Sequence, residues 1–143
     1  MDNLSSRKGA SKPEHIPKDV LIQLNRGTLE SVNLTEWLAV DHIELIENVL
    51  SEFPYFLNFV KKEIEGLKSP SVRTLVVEIG KALLLAIYEN GDQGLSNYLA
   101  SHHSDSVRCW AAYMVGLDKS LDIHSKFIAI RPFAADRHFG VRE

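Results

Sequence analysis

The dipeptide Val-Arg occurs three times in this chain, at Val72-Arg73, Val107-Arg108 and Val141-Arg142, with separations of 35 and 34 residues. A period of that length restricts folding more than any other feature here. Each unit has to be one supersecondary element that buries its apolar face against its neighbours. The flanks repeat as well: Ser69-Pro70-Ser71 aligns with Ser104-Asp105-Ser106, and His138-Phe139-Gly140 precedes the third pair. A serine oxygen accepts from the unpaired N–H groups of a helix's first turn, so Ser69 and Ser104 are expected N-caps. Pro70 then falls at the first helical position, where its missing N–H costs nothing. Beyond each pair the apolar spacing is helical, through Val72, Leu75, Val76, Ile79 and Leu83, and through Val107, Trp110, Ala111, Met114 and Val115. Helix starts are expected near residues 70, 105 and 139.

Between the copies there is room for a second helix in each unit. Leu95 to Ala100 predicts a short one, and Leu121, Ile123, Phe127, Ile128 and Ile130 predict a longer one that ends before Pro132. Two helices per unit at this period define an α-solenoid of the HEAT, armadillo or tetratricopeptide kind. The tetratricopeptide tryptophan, glycine and tyrosine pattern is missing. An arginine at the start of the second helix, with an acid close by (Asp105, Asp136), is nearer a HEAT unit. The expected fold is therefore all-α, a right-handed α-solenoid of HEAT-like helical repeats. In this register Glu143 falls on the first turn of a second helix. The solenoid is accordingly expected to be truncated at its C-terminal end and to continue in a longer parent protein.

The rest of the chain fits that scheme. Residues 1–13 are polar and read as a flexible tail, leaving 14–143 as one helical-repeat domain. Lys18 to Arg26 predicts a helix stopped by Gly27. Asn33-Leu34-Thr35-Glu36 and Asp41-His42-Ile43-Glu44 both resemble capping boxes, so helices should begin near 34 and 42. Tyr55 to Leu67 is amphipathic through Phe56, Phe59, Val60, Ile64 and Leu67, and no segment reads as a strand. With 143 residues, the chain has the size of a single packed domain. A net charge of -3 declares no overall basic field for nucleic acid or membrane. The longest apolar run, Ala82 to Tyr88, falls far short of the roughly 18 residues a membrane span needs. Cys109 is the only cysteine, which rules out a disulfide framework within the chain. A cytoplasmic protein is the default expectation.

Several residues invite a chemical role. Arg73, Arg108 and Arg142 occupy equivalent positions and should line one edge of the solenoid. Such a row suits a phosphate backbone. An Asp/Arg ladder that stacks adjacent repeats is the competing reading, and on sequence alone it is the stronger one. Trp110 suits stacking on a base or sugar, although its helical core spacing argues for burial. His102-His103 lacks the partner ligands of a metal site and reads as a solvated loop. Asp136, His138 and Glu143 mix with Arg131, Arg137 and Arg142 as a solvated surface, or as the rim of a concave site.

Three stretches carry a resemblance: "LNRGTLESVNLTEWLAVDHIELI" (24–46), "SDSVRCWAAYMVGL" (104–117) and "IRPFAADRHFGVRE" (130–143). Together they resemble the bacterial HEAT-like DNA alkylation repair proteins, nearer the AlkC branch than AlkD, from about residue 16 onward. The resemblance implies a DNA glycosylase that removes cationic alkylated purines such as 3-methyladenine from duplex DNA, with no cofactor and no metal. A methylated purine is already a good leaving group, so the main task is to stabilise the electron-poor sugar, which a carboxylate does. Glu143 is the carboxylate that the resemblance carries over, with Arg142 and Trp110 beside it as DNA contacts. In similar proteins most catalytic groups lie in repeats beyond this point. The expectation for this chain alone is therefore background base release, with self-association through uncovered Phe127, Ile130, Phe133 and Phe139. A non-catalytic HEAT-repeat scaffold for DNA or a protein partner is the alternative.

Overall fold

In the computed structural model, which describes residues 7–143, the chain is all-helical. A 3-10 turn at Pro13–His15 precedes α1 (Lys18–Arg26), α2 (Leu34–Ala39), α3 (His42–Val49), α4 (Pro54–Glu65) and α5 (Val72–Asn90). Then come α6 (Leu95–Ala100), α7 (Asp105–Leu117), α8 (Ile123–Ala134) and α9 (Phe139–Arg142). No strand occurs among the described residues.

Local chemistry places most of these boundaries. Gly27 takes φ 78°, and the N–H groups of Gly27 and Thr28 close the last turn of α1 on Leu24 and Gln23. The Asn33 side chain accepts from Glu36 N–H, while Glu36 Oε1 accepts from Val32 N–H at 3.0 Å, a reciprocal capping pair. Asp41 caps α3, Ser104 caps α7 and His138 Nδ1 caps α9 through Gly140 N–H. The expected cap at Ser69 is displaced. Ser69 has φ 41°, outside the extended region an N-cap occupies, and Ser71 takes over by accepting from Thr74 N–H at 3.1 Å. Helix α5 therefore starts at Val72. Pro132 does not stop α8 either: the helix runs on to Ala134, with Pro132 in its last turn.

The packing order is regular. Helix α4 lies on α5, α6 on α7 and α8 on α9, while α7 contacts both α5 and α9. The core runs through Leu45, Ile46, Leu50, Phe56, Val60, Ile79, Leu83, Leu95, Leu99 and Trp110, all fully buried. At the α5–α7 crossing, a Cβ on Gly80 would come 2.9 Å from Tyr113 Cβ and 3.1 Å from the Trp110 carbonyl oxygen. Only glycine lets the helices approach this closely. The change Gly80→Ala gains ~1 kcal/mol of helix propensity but overpacks the crossing at a cost of ~1–3 kcal/mol. A net loss is expected, read as a lower urea midpoint. An unchanged or raised midpoint would contradict so close a crossing.

Two expectations about the ends change. Residues 1–6 of the expected 1–13 tail lie outside the described residues. From Arg7 onward the chain is tied down: Arg7 Nη2 donates to Glu36 Oε1 at 2.7 Å and to the Glu30 carbonyl at 3.0 Å, and Asn33 Nδ2 donates to the Ala10 carbonyl at 2.9 Å. The reason is the buried Glu36 carboxylate, which needs a cation once it leaves water. At the other end, Phe133 is buried, and Ile130 and Phe139 are half-buried. Of the expected set Phe127 stays exposed, and the uncovered apolar face is completed by Ile123 and Ile128, all on α8.

Candidate nucleic-acid interface

Helix α7 sorts its side chains by face. Val107, Trp110, Ala111 and Met114 enter the core. Cys109, Ala112, Tyr113 and Gly116 recur at spacings of three and four and line a cleft of about 360 Å³. The other walls come from Leu34 and Trp37 of α2, Arg73 and Val76 of α5, Ile130 and Phe133 of α8, and Phe139 to Glu143. Aromatic rings thus face a space rimmed by Arg73, Arg142 and the Glu143 carboxylate, all three exposed. Arg142 is oriented by Nη1, which donates to the Asp136 and Arg137 carbonyls at 3.1 Å each. At the cleft floor the Cys109 thiol lies 3.4 Å from the Gly140 carbonyl, and burial pushes its pKa up to about 12. A thiol held neutral in this way is no nucleophile.

The third arginine of the row goes elsewhere. Arg108 is 4 % exposed and points away from the cleft into a cluster of acids. Its Nη2 donates to Glu30 at 2.5 Å, its Nε to Asp136 at 2.8 Å, and its Nη1 to the carbonyls of His102 and His103 at 2.9 Å each. Burial alone would lower the guanidinium's pKa, but its bonds to Asp136 and Glu30 raise it overall. The equivalent positions therefore do not form one row: Arg73 and Arg142 share the cleft, and Arg108 ties α7 to Glu30, to Asp136 and to the His102 and His103 carbonyls. Arg108 pairs with Asp136, one of the acids noted beside the arginines, and also with Glu30, a partner that the sequence did not reveal. Trp110 is fully buried, and its Nε1 donates to His42 Nδ1 at 3.2 Å. Neither residue is available to touch DNA.

No known protein family, curated protein or solved structure matches this chain. The site is therefore read from its own geometry.

One further cluster looks catalytic by composition. Ser31, Asp105 and His138 meet in the interior, all buried. Ser31 Oγ donates to Asp105 Oδ2 at 2.6 Å, and His138 Nε2 lies 2.7 Å from the Ser31 carbonyl and 3.2 Å from Asp105 Oδ2. His138 Nδ1 accepts from Gly140 N–H, so Nε2 carries the ring proton. The nitrogen beside Ser31 therefore has no lone pair to take a hydroxyl proton, and the serine's own proton goes to aspartate. A nucleophilic triad needs the opposite arrangement. This cluster is a clamp between the 28–33 loop, α7 and α9.

His102 is partly buried, with Nδ1 accepting from Ser104 N–H at 3.0 Å, and burial lowers its pKa. Among the described residues, no group of three or more His, Cys, Asp or Glu side chains is placed to hold a metal. No helix among them is long and apolar enough to cross a membrane. The cleft's aromatic wall was missed in the sequence. Trp37 immediately follows the Glu36 capping residue, so its helix was legible, but a six-residue helix is too short to reveal which face looks inward.

Proposed function

We propose that the chain is a right-handed α-solenoid of HEAT-like units that binds duplex DNA in the manner of alkylation repair proteins. The pairing of α4 with α5, α6 with α7 and α8 with α9, and the succession α5, α7, α9, support the solenoid reading. The functional reading rests on one observation: Arg73, Arg142 and Glu143 rim the same cleft as Trp37 and Tyr113. Guanidinium groups fit phosphate oxygens, aromatic walls fit a base or sugar, and a carboxylate fits the cationic sugar of a breaking glycosidic bond. Arg73 and Arg142 are the backbone contacts, and Arg108 and Trp110 leave that set. Glu143 is the carboxylate at the reacting position.

Glu143 is exposed. A carboxylate in water stabilises a developing cation far less than one in a dry, preorganised site. The isolated chain is therefore expected to bind duplex DNA and to release base only at background. Gel retardation of duplex DNA at low salt, run beside 3-methyladenine release from methylated DNA, tests both halves. Absence of retardation would sink the DNA reading. Release above background would mean that Glu143 works despite its exposure. A second reading, a scaffold for a protein partner, is favoured by the uncovered Ile123, Phe127 and Ile128 of α8.

A further inference from the structure

Helix α8 displays side chains that a folded surface ordinarily hides. Ile123 is 75 % exposed, Phe127 67 % and Ile128 55 %. Spacings of four place Ile123, Phe127 and Arg131 on one ridge and His124 and Ile128 on the next. The charge along this segment is basic, with Lys119, Lys126 and Arg131 against Asp118 and Asp122, and Asp118 is engaged by Tyr88 and Ser120. Lys126 is held by its bond to the Gly116 carbonyl, and Lys119 and Arg131 stay exposed.

The junction of α2 and α3 has the opposite character. Leu38 and Ile43 are exposed there, and the segment from Asp41 to Glu52 adds Glu44 and Glu47 with no lysine or arginine. Part of this charge is engaged: Asp41 Oδ1 caps α3, Glu47 meets Lys61 at 3.0 Å, and Asn25 Nδ2 lies 3.5 Å from Glu44. These acids are all exposed, so the face stays negative. Helix α3 rests on α1, α4 and α5, whereas α8 rests on α7 and α9. The two faces belong to different parts of the molecule, and neither covers the other.

We propose that two copies of this chain join head to tail, with the basic apolar face of α8 in one molecule docked on the acidic apolar α2–α3 face of the next. Charge selects this pairing. An α8-to-α8 contact would set Lys119 and Arg131 against the same residues of the other copy, and like charges across an interface disfavour it. The head-to-tail contact sets bases against Glu44 and Glu47 and covers the exposed leucine and isoleucines together with Phe127. Such a contact is heterologous, so each added copy presents a fresh face and the assembly grows with concentration unless it closes into a ring.

Sedimentation velocity over a concentration series tests the pairing with the full chain, using Lys119→Glu/Arg131→Glu and Glu44→Lys/Glu47→Lys. All four positions are on the surface, and thermal melting checks that both variants stay folded. The wild type is expected to associate at low salt, with association weakened about tenfold or more as salt screens the contact. Each variant alone should stay monomeric, and an equimolar mixture of the two should associate, because opposite charges then meet again. If either double variant melts early, the single changes Arg131→Glu and Glu47→Lys carry the same expectations. The proposal fails if the wild type stays monomeric at low salt, or if the acidic-face variant associates as the wild type does. It also fails if mixing restores nothing.

Discussion

Replacing Arg108 with alanine is expected to destabilise the fold by about 3 kcal/mol, the lower end of the cost of orphaning a buried charge pair. The residue is 4 % exposed, and the change strands Glu30 and Asp136 as well as two loop carbonyls. The lower end applies because Glu30 keeps Arg137 at 3.0 Å and its side chain is 23 % exposed. Urea unfolding measures the loss. A cycle with Glu30→Gln should show strong non-additivity, because both changes remove the same contact. A shift within a few tenths of a kcal/mol would place Arg108 at the surface after all, free for phosphate. Acid should act on the same cluster. Burial alone would raise the Glu30 and Asp136 carboxyls, but Arg108, aided by Arg137 and for Asp136 by the His138 N–H, outweighs it and lowers both below their ordinary values of 4.5 and 3.8. Because these pKa values are depressed in the folded state, their contribution is present above the ordinary carboxyl range. It is lost as pH falls through the lowered values, and Arg108→Ala should weaken that dependence, leaving the part owed to Arg137 and the His138 N–H.

Trp110→Ala is expected to cost about 3–5 kcal/mol, as large aromatic truncations in a core do. Its ring is fully buried and tilts against His42 with centroids 5.9 Å apart. If Trp110 were a base-stacking residue, the change would leave unfolding untouched and weaken DNA binding alone, so melting and binding measured together separate the two roles. The same contact gives a second pH signature. His42 is buried, and that burial pushes its pKa from 6.5 down to about 4. Between those values the unfolded chain takes up a proton that the folded chain refuses, so stability should decline as pH drops from 6.5 to 4 and no further on this account. Titrating unfolding free energy across that window checks it. A flat profile would mean that His42 reaches water.

The sequence carried what is local. Gly27, Asn33, Asp41 and Ser104 end or begin helices by hydrogen bonds within a few residues of themselves, and all four act as expected. Ser69 misled because two serines competed for one cap, and the left-handed turn at Ser69 that decides between them is set by the loop as a whole. Long-range partners were invisible. Glu30 meets Arg108 across 78 positions, and Ser31 meets His138 across 107. The Val-Arg register located three equivalent arginines, but equivalence along the chain did not give them a common environment. Arg108 met a carboxylate on either side, whereas Arg73 and Arg142 were left at the rim of the cleft.

The most direct measurement is the salt dependence of binding to a fluorescent DNA duplex, comparing the wild type with Arg73→Ala/Arg142→Ala. Both arginines are exposed, so the double variant should melt with the wild type. Each phosphate contact adds about 0.9 to the magnitude of the slope of log affinity against log salt. The account expects affinity to fall in the variant, with the slope shallower by about two such contacts. Equal affinities and equal slopes in the two proteins would show that DNA, if bound at all, is held elsewhere, and would contradict the assignment of the cleft.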